Sequence, residues 1–270
     1  HGILNSTKMK KLLVFCVFGW SMYSCETIID VDLNTADPKT TVDAAICPQD
    51  AQNMIVLTSS GRFQDAEGLE GIGNANILLD DRNGQTATFS EIFLGFYGLS
   101  GYTFNPGFTY DLTIQNGDET ITASSTMPEL VEIDSLYFEE SFFPTPDGEE
   151  QEYMIHLVFE DPAEIENYYR VMVTVNDTLQ DRKSVTSDEF TNGNVRDYLF
   201  FGENIHLGDS VQIELWSINR EAYDFYTTLD DVLSSGFGSS TPYNPITNLS
   251  SGLGHFTIYQ RSEKNARVAL

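Results

Sequence analysis

Positive charge is scarce in this sequence: 14 Lys and Arg stand among 270 residues against 41 Asp and Glu, for a net charge of −27. Such a polyanion repels phosphate and lacks the basic clusters that hold a nucleic acid, which excludes DNA and RNA as partners. Direct docking on anionic headgroups is disfavoured for the same reason. The acidity reads as the solubility of a surface, with steering of a cation or a basic partner as the functional alternative. Cysteine is nearly as rare. Only Cys16, Cys25 and Cys47 are present; Cys16 falls in an N-terminal segment expected to be removed and Cys25 is expected to be lipidated, which leaves Cys47 without a partner, so no internal disulfide can form and stability has to come from buried apolar area. Cys47, in Ala44-Ala45-Ile46-Cys47, reads as a small buried strand residue. Long hydrophobic runs are missing too. The twelve residues 12–23 are apolar, and a helix that spans a bilayer needs about 20.

That short run has a clear reading of its own. Lys10 and Lys11 form a positive n-region, residues 12–23 an apolar h-region, and small Ser24 precedes Cys25, the pattern of an export signal ending at a lipidation cysteine. Cleavage before Cys25 would leave its thiol diacylated and its new amino group acylated, and several acyl chains, at about 0.8 kcal/mol per buried CH₂, anchor a protein stably. An ordinary secretory signal, with Cys25 incidental, is the alternative. Residues 1–8 precede a better start at Met9 and are set aside with the leader, 1–24. Its removal leaves eleven basic against forty-one acidic side chains, a net of −30. The lipid on Cys25 is then the expected membrane contact, with the side of the membrane that carries the folded part left open.

The rest predicts a mainly β chain: a lipidated tether over 25–40, a β-sandwich over 41–130 and a second β-rich domain over 131–270. Within the tether, residues 26–33 read as a docked edge strand. Residues 53–59 and 75–79 read as strands, and Asp81-Arg82-Asn83-Gly84 returns the chain into 86–92 because Asn-Gly tolerates positive φ. Asn116-Gly117-Asp118 joins 109–114 to 119–125, where Tyr110, Leu112 and Ile114 share one face. Met127-Pro128 closes the first domain, since proline cannot donate to a central ladder. In the second, 133–139 is a strand, 153–159 and 168–175 read as a pair, and 210–218 alternates cleanly with Val211, Ile213 and Leu215 inward. Tyr223, Tyr226, Leu229 and Leu233 recur at helical spacing and predict one helix near 220–234. A final strand runs over 255–260.

Chemistry is thinly signalled. Gly98-Leu99-Ser100-Gly101 lacks the spacing of a nucleophile elbow and reads as a flexible loop. His156, His206 and His255 lie far apart without a helical His-Glu-x-x-His pair, so no metal site is expected, and no phosphate-cradling loop is present. Asp30 with Asp32, and Asp80 with Asp81 and Asn83, offer hard oxygens for calcium but not the full spacing of a calcium loop; a strand edge and a hairpin turn explain them. No catalytic residue and no cofactor is assigned. The low-charge aromatic segment 93–110 is the exception: Tyr97, Tyr102 and Phe104 are candidate contacts for a partner or ligand, with the loop around 98–106 expected to expose its rings.

The order of parts carries a resemblance. Cys25-Glu26 before Ile28-Ile29-Asp30-Val31-Asp32-Leu33, then Asn74-Ala75-Asn76-Ile77-Leu78-Leu79-Asp80-Asp81, Asp161-Pro162 leading to Asn167-Tyr168-Tyr169-Arg170, and Asn244-Pro245 before Gly252-Leu253-Gly254-His255-Phe256 resemble a family of Bacteroidetes outer-membrane lipoproteins carrying a domain of unknown function. The resemblance implies an immunoglobulin-like N-terminal β-domain, a gene beside that of a TonB-dependent receptor, and a non-enzymatic role in nutrient capture or gating. A stand-alone glycan- or peptide-binding surface module is the competing expectation.

Overall fold

The computed structural model describes residues 38–61, 69–143, 150–163, 165–180, 185–201, 205–234 and 243–269. The leader, Cys25 and the strand expected at 26–33 lie outside them. Eight of the nine strands of the first layer come in succession: β1 (Thr40–Ile46), β2 (Asn53–Ser59), β3 (Glu70–Gly71), β4 (Asn76–Asp80), β5 (Thr86–Phe93), β6 (Phe96–Leu99), β7 (Thr109–Asn116) and β8 (Glu119–Thr126). Alternation builds them. Val42, Ala44 and Ile46 of β1 face inward with Ile55 and Leu57 of β2, Ile77 and Leu79 of β4, and Leu112 and Ile114 of β7, and together they form one buried apolar core. Both hairpins expected from Asn-Gly turns are present, β4 with β5 and β7 with β8, and Gly84 and Gly117 take the positive φ those turns demand.

The chain continues as β9 (Ile133–Glu140), β10 (Tyr153–Glu160), β11 (Tyr168–Val175), β12 (Thr178–Leu179), β13 (Val185–Ser187), β14 (Val195–Phe200) and β15 (Ser210–Ile218), then α1 (Arg220–Ser234), β16 (Leu253–Ile258) and β17 (Gln260–Arg267). The position near residue 130 lies in the link between β8 and β9, and the described residues on both sides of it belong to one compact unit. Segments 153–159 and 168–175 do not pair, however. β10 lies between β9 and β14, whereas β11 pairs with β15, β12 and β13 in another sheet that β17 completes. Ile155, Leu157 and Phe159 meet Val171, Val173, Val211, Ile213 and Leu215 in one core, so the two segments contact through side chains across a sandwich and not through a ladder. The expected last strand also divides: β16 ends at Ile258 and β17 begins at Gln260.

β16 crosses back to the first layer and runs parallel to β1, with Thr41 opposite Leu253 and Ile46 opposite Ile258. The strand order there is β16-β1-β2-β6-β5-β4-β7-β8, with β3 on β2. The two ends of this path approach each other. Ile258 N donates to Ser125 Oγ at 3.0 Å and Thr122 N to Ser250 Oγ at 2.8 Å, so the layer nearly closes and both edges are protected. Strand direction then defines two ends. Ile46, Ser125 and Ile258 lie toward the sandwich that holds β10 and β11; Thr40, Ser59, Glu119 and the turn joining β5 to β6 lie at the free end.

The helix falls where its spacing placed it, and its cap fastens the junction. Asn219 Oδ1 accepts from Ala222 N at 2.9 Å as an N-cap, while its Nδ2 donates to Ser125 Oγ at 3.0 Å. One amide therefore joins α1, β8 and, through Ser125, β16. Ala222 and Tyr226 of α1 bury a third core with Cys47, Ile218 and Tyr259. Burial pushes the Cys47 thiol up, and its Sγ donates to Gln49 Oε1, the behaviour of a structural cysteine. Asn219→Ala should lower stability by about 2 kcal/mol, because both a cap and a buried hydrogen bond are lost. Urea unfolding checks this, and a loss below half a kilocalorie, as at an ordinary surface position, would refute the junction role.

Candidate functional site

A cleft of about 370 Å³ opens between β11, α1 and the loop after β13. β11 supplies Tyr168, α1 supplies Arg220 and Tyr223, and the loop supplies Asp188, Glu189 and Asn192. The two tyrosine rings meet at 5.1 Å between centroids. Tyr168 Oη donates to Glu166 Oε2 at 2.7 Å and accepts from Arg220 Nη1 at 3.2 Å. Burial and then the bond to Glu166 push the Tyr168 hydroxyl upward, so it stays a neutral donor. Arg220 also faces Glu166 at 3.6 Å and Asp224 at 3.9 Å. Asp188 is buried and accepts from the backbone N of Asn167 at 2.9 Å, which fixes the loop. Three carboxylates, one guanidinium and two phenol faces suit a polar or cationic ligand. Arg220 itself illustrates the fit, its guanidinium lying 5.8 Å from the Tyr168 ring.

A second constellation was hidden by sequence distance. On the exposed side of the β9–β10–β14 sheet, Tyr137 stacks on His156 at 4.4 Å, the two being opposite one another in register. His156 Nδ1 lies 2.9 Å from Asp197 Oδ1, and Tyr137 Oη donates to Asp197 Oδ2 at 2.7 Å. Burial raises the Asp197 carboxyl, yet the bonds from Tyr137 and His156 outweigh it and hold the group below the usual carboxylate range. Tyr137 is pushed up to about 12, foremost by its bond to Asp197. The composition resembles a catalytic dyad, but His156 Nε2 is enclosed, 3.5 Å from Glu139 Oε2. The group fastens three strands.

The aromatic segment turns inward. Tyr97 is 1% exposed, donates to Ile72 O and accepts from Ala75 N, each at 2.9 Å. Phe104, 8% exposed, packs edge-on against half-buried Tyr102 at 4.8 Å, and both rings contact Tyr110. The Tyr102 hydroxyl is pushed up to about 12 by burial, with Asp81 adding to it. The strand period explains the difference: Tyr97 and Leu99 of β6 fall on the inner face with Ile55 and Phe89. Gly98 belongs to β6 and not to a flexible loop, for a Cβ there would lie 2.5 Å from Ile92 Cδ1.

The other side chains weighed as ligands and set aside are engaged in the fold itself. Asp81 is buried and its Oδ1 accepts from Asn83 N and Gln85 N, while Asp80 accepts from Arg82 N, so these carboxylates organise the hairpin turn. His156, His206 and His255 stand on separate elements, and among the described residues no cluster of three metal-ligating side chains forms. Asp30 and Asp32 lie outside the described residues, as does Cys25. The motif Asp161 to Arg170 has a structural purpose: Tyr169 Oη donates to the buried Asp161, which also accepts from Gly193 N at 3.0 Å. Asn248 likewise clamps β16 by accepting from Phe256 N at 3.1 Å and donating to Phe256 O at 2.7 Å.

No curated protein matches the chain. A family model does, over residues 26–265, and its description is a domain of unknown function. That match takes in the signature segments just described, from the residue after Cys25 to the last strand, and the chain therefore belongs to the DUF4249 family.

Proposed function

We propose that this protein is a Bacteroidetes outer-membrane lipoprotein, held by acyl chains on Cys25, that assists a TonB-dependent receptor in nutrient capture or gating without itself catalysing a reaction. The observation that carries the reading is the spacing between anchor and fold. Cys25 closes an export signal, and β1 starts at Thr40, fifteen residues later. Fifteen residues span at most about 50 Å when fully extended. A body on so short a leash is confined to a layer beside the membrane, where receptors of the same membrane are at high effective concentration and a weak contact suffices.

The acidic surface favours a partner presenting cationic groups, and the Tyr168–Tyr223 cleft matches that chemistry. Copurification from detergent-solubilised membranes should recover a large β-barrel protein with the wild-type chain. Cys25→Ser should move the chain to the soluble fraction and reduce recovery of the barrel by about a hundredfold, the usual gain from tethering. Repeated recovery of the wild-type lipoprotein alone would overturn the proposal.

A further inference from the structure

The free end of the first layer carries an apolar tip. At the turn joining β5 to β6, Ile92, Phe93 and Leu94 are 47, 55 and 60% exposed, and Leu69, just before β3, is 65% exposed. Phe93 rests on Phe96, with ring centroids at 4.2 Å, so the tip is a firm projection and not a loose strand end. Close backbone packing holds it. A Cβ at Gly95 would lie 2.7 Å from Leu57 O, and one at Gly71 would lie 2.7 Å from Leu94 O, so these glycines let the turn sit directly against β2 and β3. Exposed large apolar residues in succession on so acidic a chain call for an apolar partner.

Position identifies that partner. Lys39 N donates to Ser60 Oγ and Ser60 N to Lys39 O, both at 2.8 Å, which places the start of the described chain at this same free end. From Lys39 fourteen residues lead back to Cys25. We infer that the Ile92-Phe93-Leu94 tip enters the interfacial layer of the bilayer as a second, non-covalent membrane contact beside the lipid on Cys25; this rests on the anchoring reading above. A protruding turn with no groove of its own suits a deformable apolar medium. The exposed carboxylates of Glu70 and Glu91 flank it, so the surface it enters is zwitterionic and not anionic. Contact at the tip orients the body: the opposite extremity, with Phe142, Phe143 and Phe201 in mutual ring contact, then points away from the membrane.

The test uses the full lipidated chain reconstituted in phosphatidylcholine vesicles with and without brominated acyl chains, which quench nearby indoles. Phe93→Trp should lose about half its added emission in brominated lipid, as an interfacial side chain does, while Phe201→Trp at the far end stays unchanged. Equal emission of Phe93→Trp in both lipids overturns the inference, as does equal quenching of Phe201→Trp. Mass spectrometry of the same samples reads acylation of Cys25 separately. An unmodified Cys25 defeats the anchoring reading, and quenching of Phe93→Trp by added vesicles still decides the tip; an acylated chain with an unquenched tip defeats the tip alone.

Discussion

Gly254→Ala should lower the unfolding free energy by at least about 3 kcal/mol, the scale of a severe backbone and packing conflict. Gly254 has φ +98°, a region closed to most side chains, and a Cβ there would lie 1.9 Å from Val42 O. Nothing nearby can yield. Val42 is wholly buried in β1, stands opposite Gly254 in the parallel register, and is held on its other side by β2. Gly252 repeats the arrangement one step away, with φ +88° and Thr40 O at 2.5 Å from a Cβ. Alanine therefore has to push β16 off β1, which opens the core at Phe256 and Ile258. Gly84→Ala is the comparison. Its φ is +101° but a Cβ there meets nothing within 4 Å, so only the conformational penalty of about 1 kcal/mol applies. Urea unfolding of both variants decides the matter: a difference under a kilocalorie would mean that β16 is not bound to β1 as tightly as the geometry demands.

Those glycines show what a reader of the sequence can and cannot recover. Local signals were legible, because each rests on a period or a turn: the β7–β8 hairpin followed from Tyr110, Leu112 and Ile114 about Asn116-Gly117, and α1 from Tyr223, Tyr226 and Leu229. Long-range pairing was not. β10 and β11 each read as a strand, yet no residue in either says that they meet across a sandwich. β17, Gln-Arg-Ser-Glu-Lys-Asn-Ala-Arg, carries no apolar alternation at all. Its inward positions are polar and satisfied by backbone: Gln260 Nε2 donates to Pro128 O and Ser262 Oγ accepts from Ile133 N. Aromatic composition misled for a related reason. Tyr97 and Phe104 look the same in a sequence whether they face a ligand or a core, and only the face of β6 decides. The Tyr168–Arg220–Asp188 cleft could not be seen because its lining comes from three elements spread over residues 166–223.

Acid should weaken this fold through one histidine more than its abundance of carboxylates alone would. His255 lies between β16 and α1, stacked on Phe225 at 4.7 Å and 9°, and neither ring nitrogen has a hydrogen-bond partner. Burial drives its pKa from the ordinary 6.5 down to about 3. The acidic group in register with it is Asp43 of β1, whose residue is exposed to solvent. Between those two pH values the unfolded chain binds a proton at this position and the folded chain does not, so stability rises with pH through that window. Above pH 6.5 both states are neutral at this site and the contribution is complete; it is lost as pH falls toward 3. At 1.36 kcal/mol per unit, descending from pH 6.5 to 4 removes about 3 kcal/mol. His255→Leu should abolish that part of the slope. Near pH 7 the variant should stay within about 1.5 kcal/mol of wild type, because an apolar group of similar size leaves no partner unsatisfied. Carboxylates titrate alike in both proteins, so the difference between their stability curves isolates the imidazole. Parallel curves from pH 7 to 4 would show that His255 is reached by water or a proton in the folded state, and with it that α1 does not seal the back of β16.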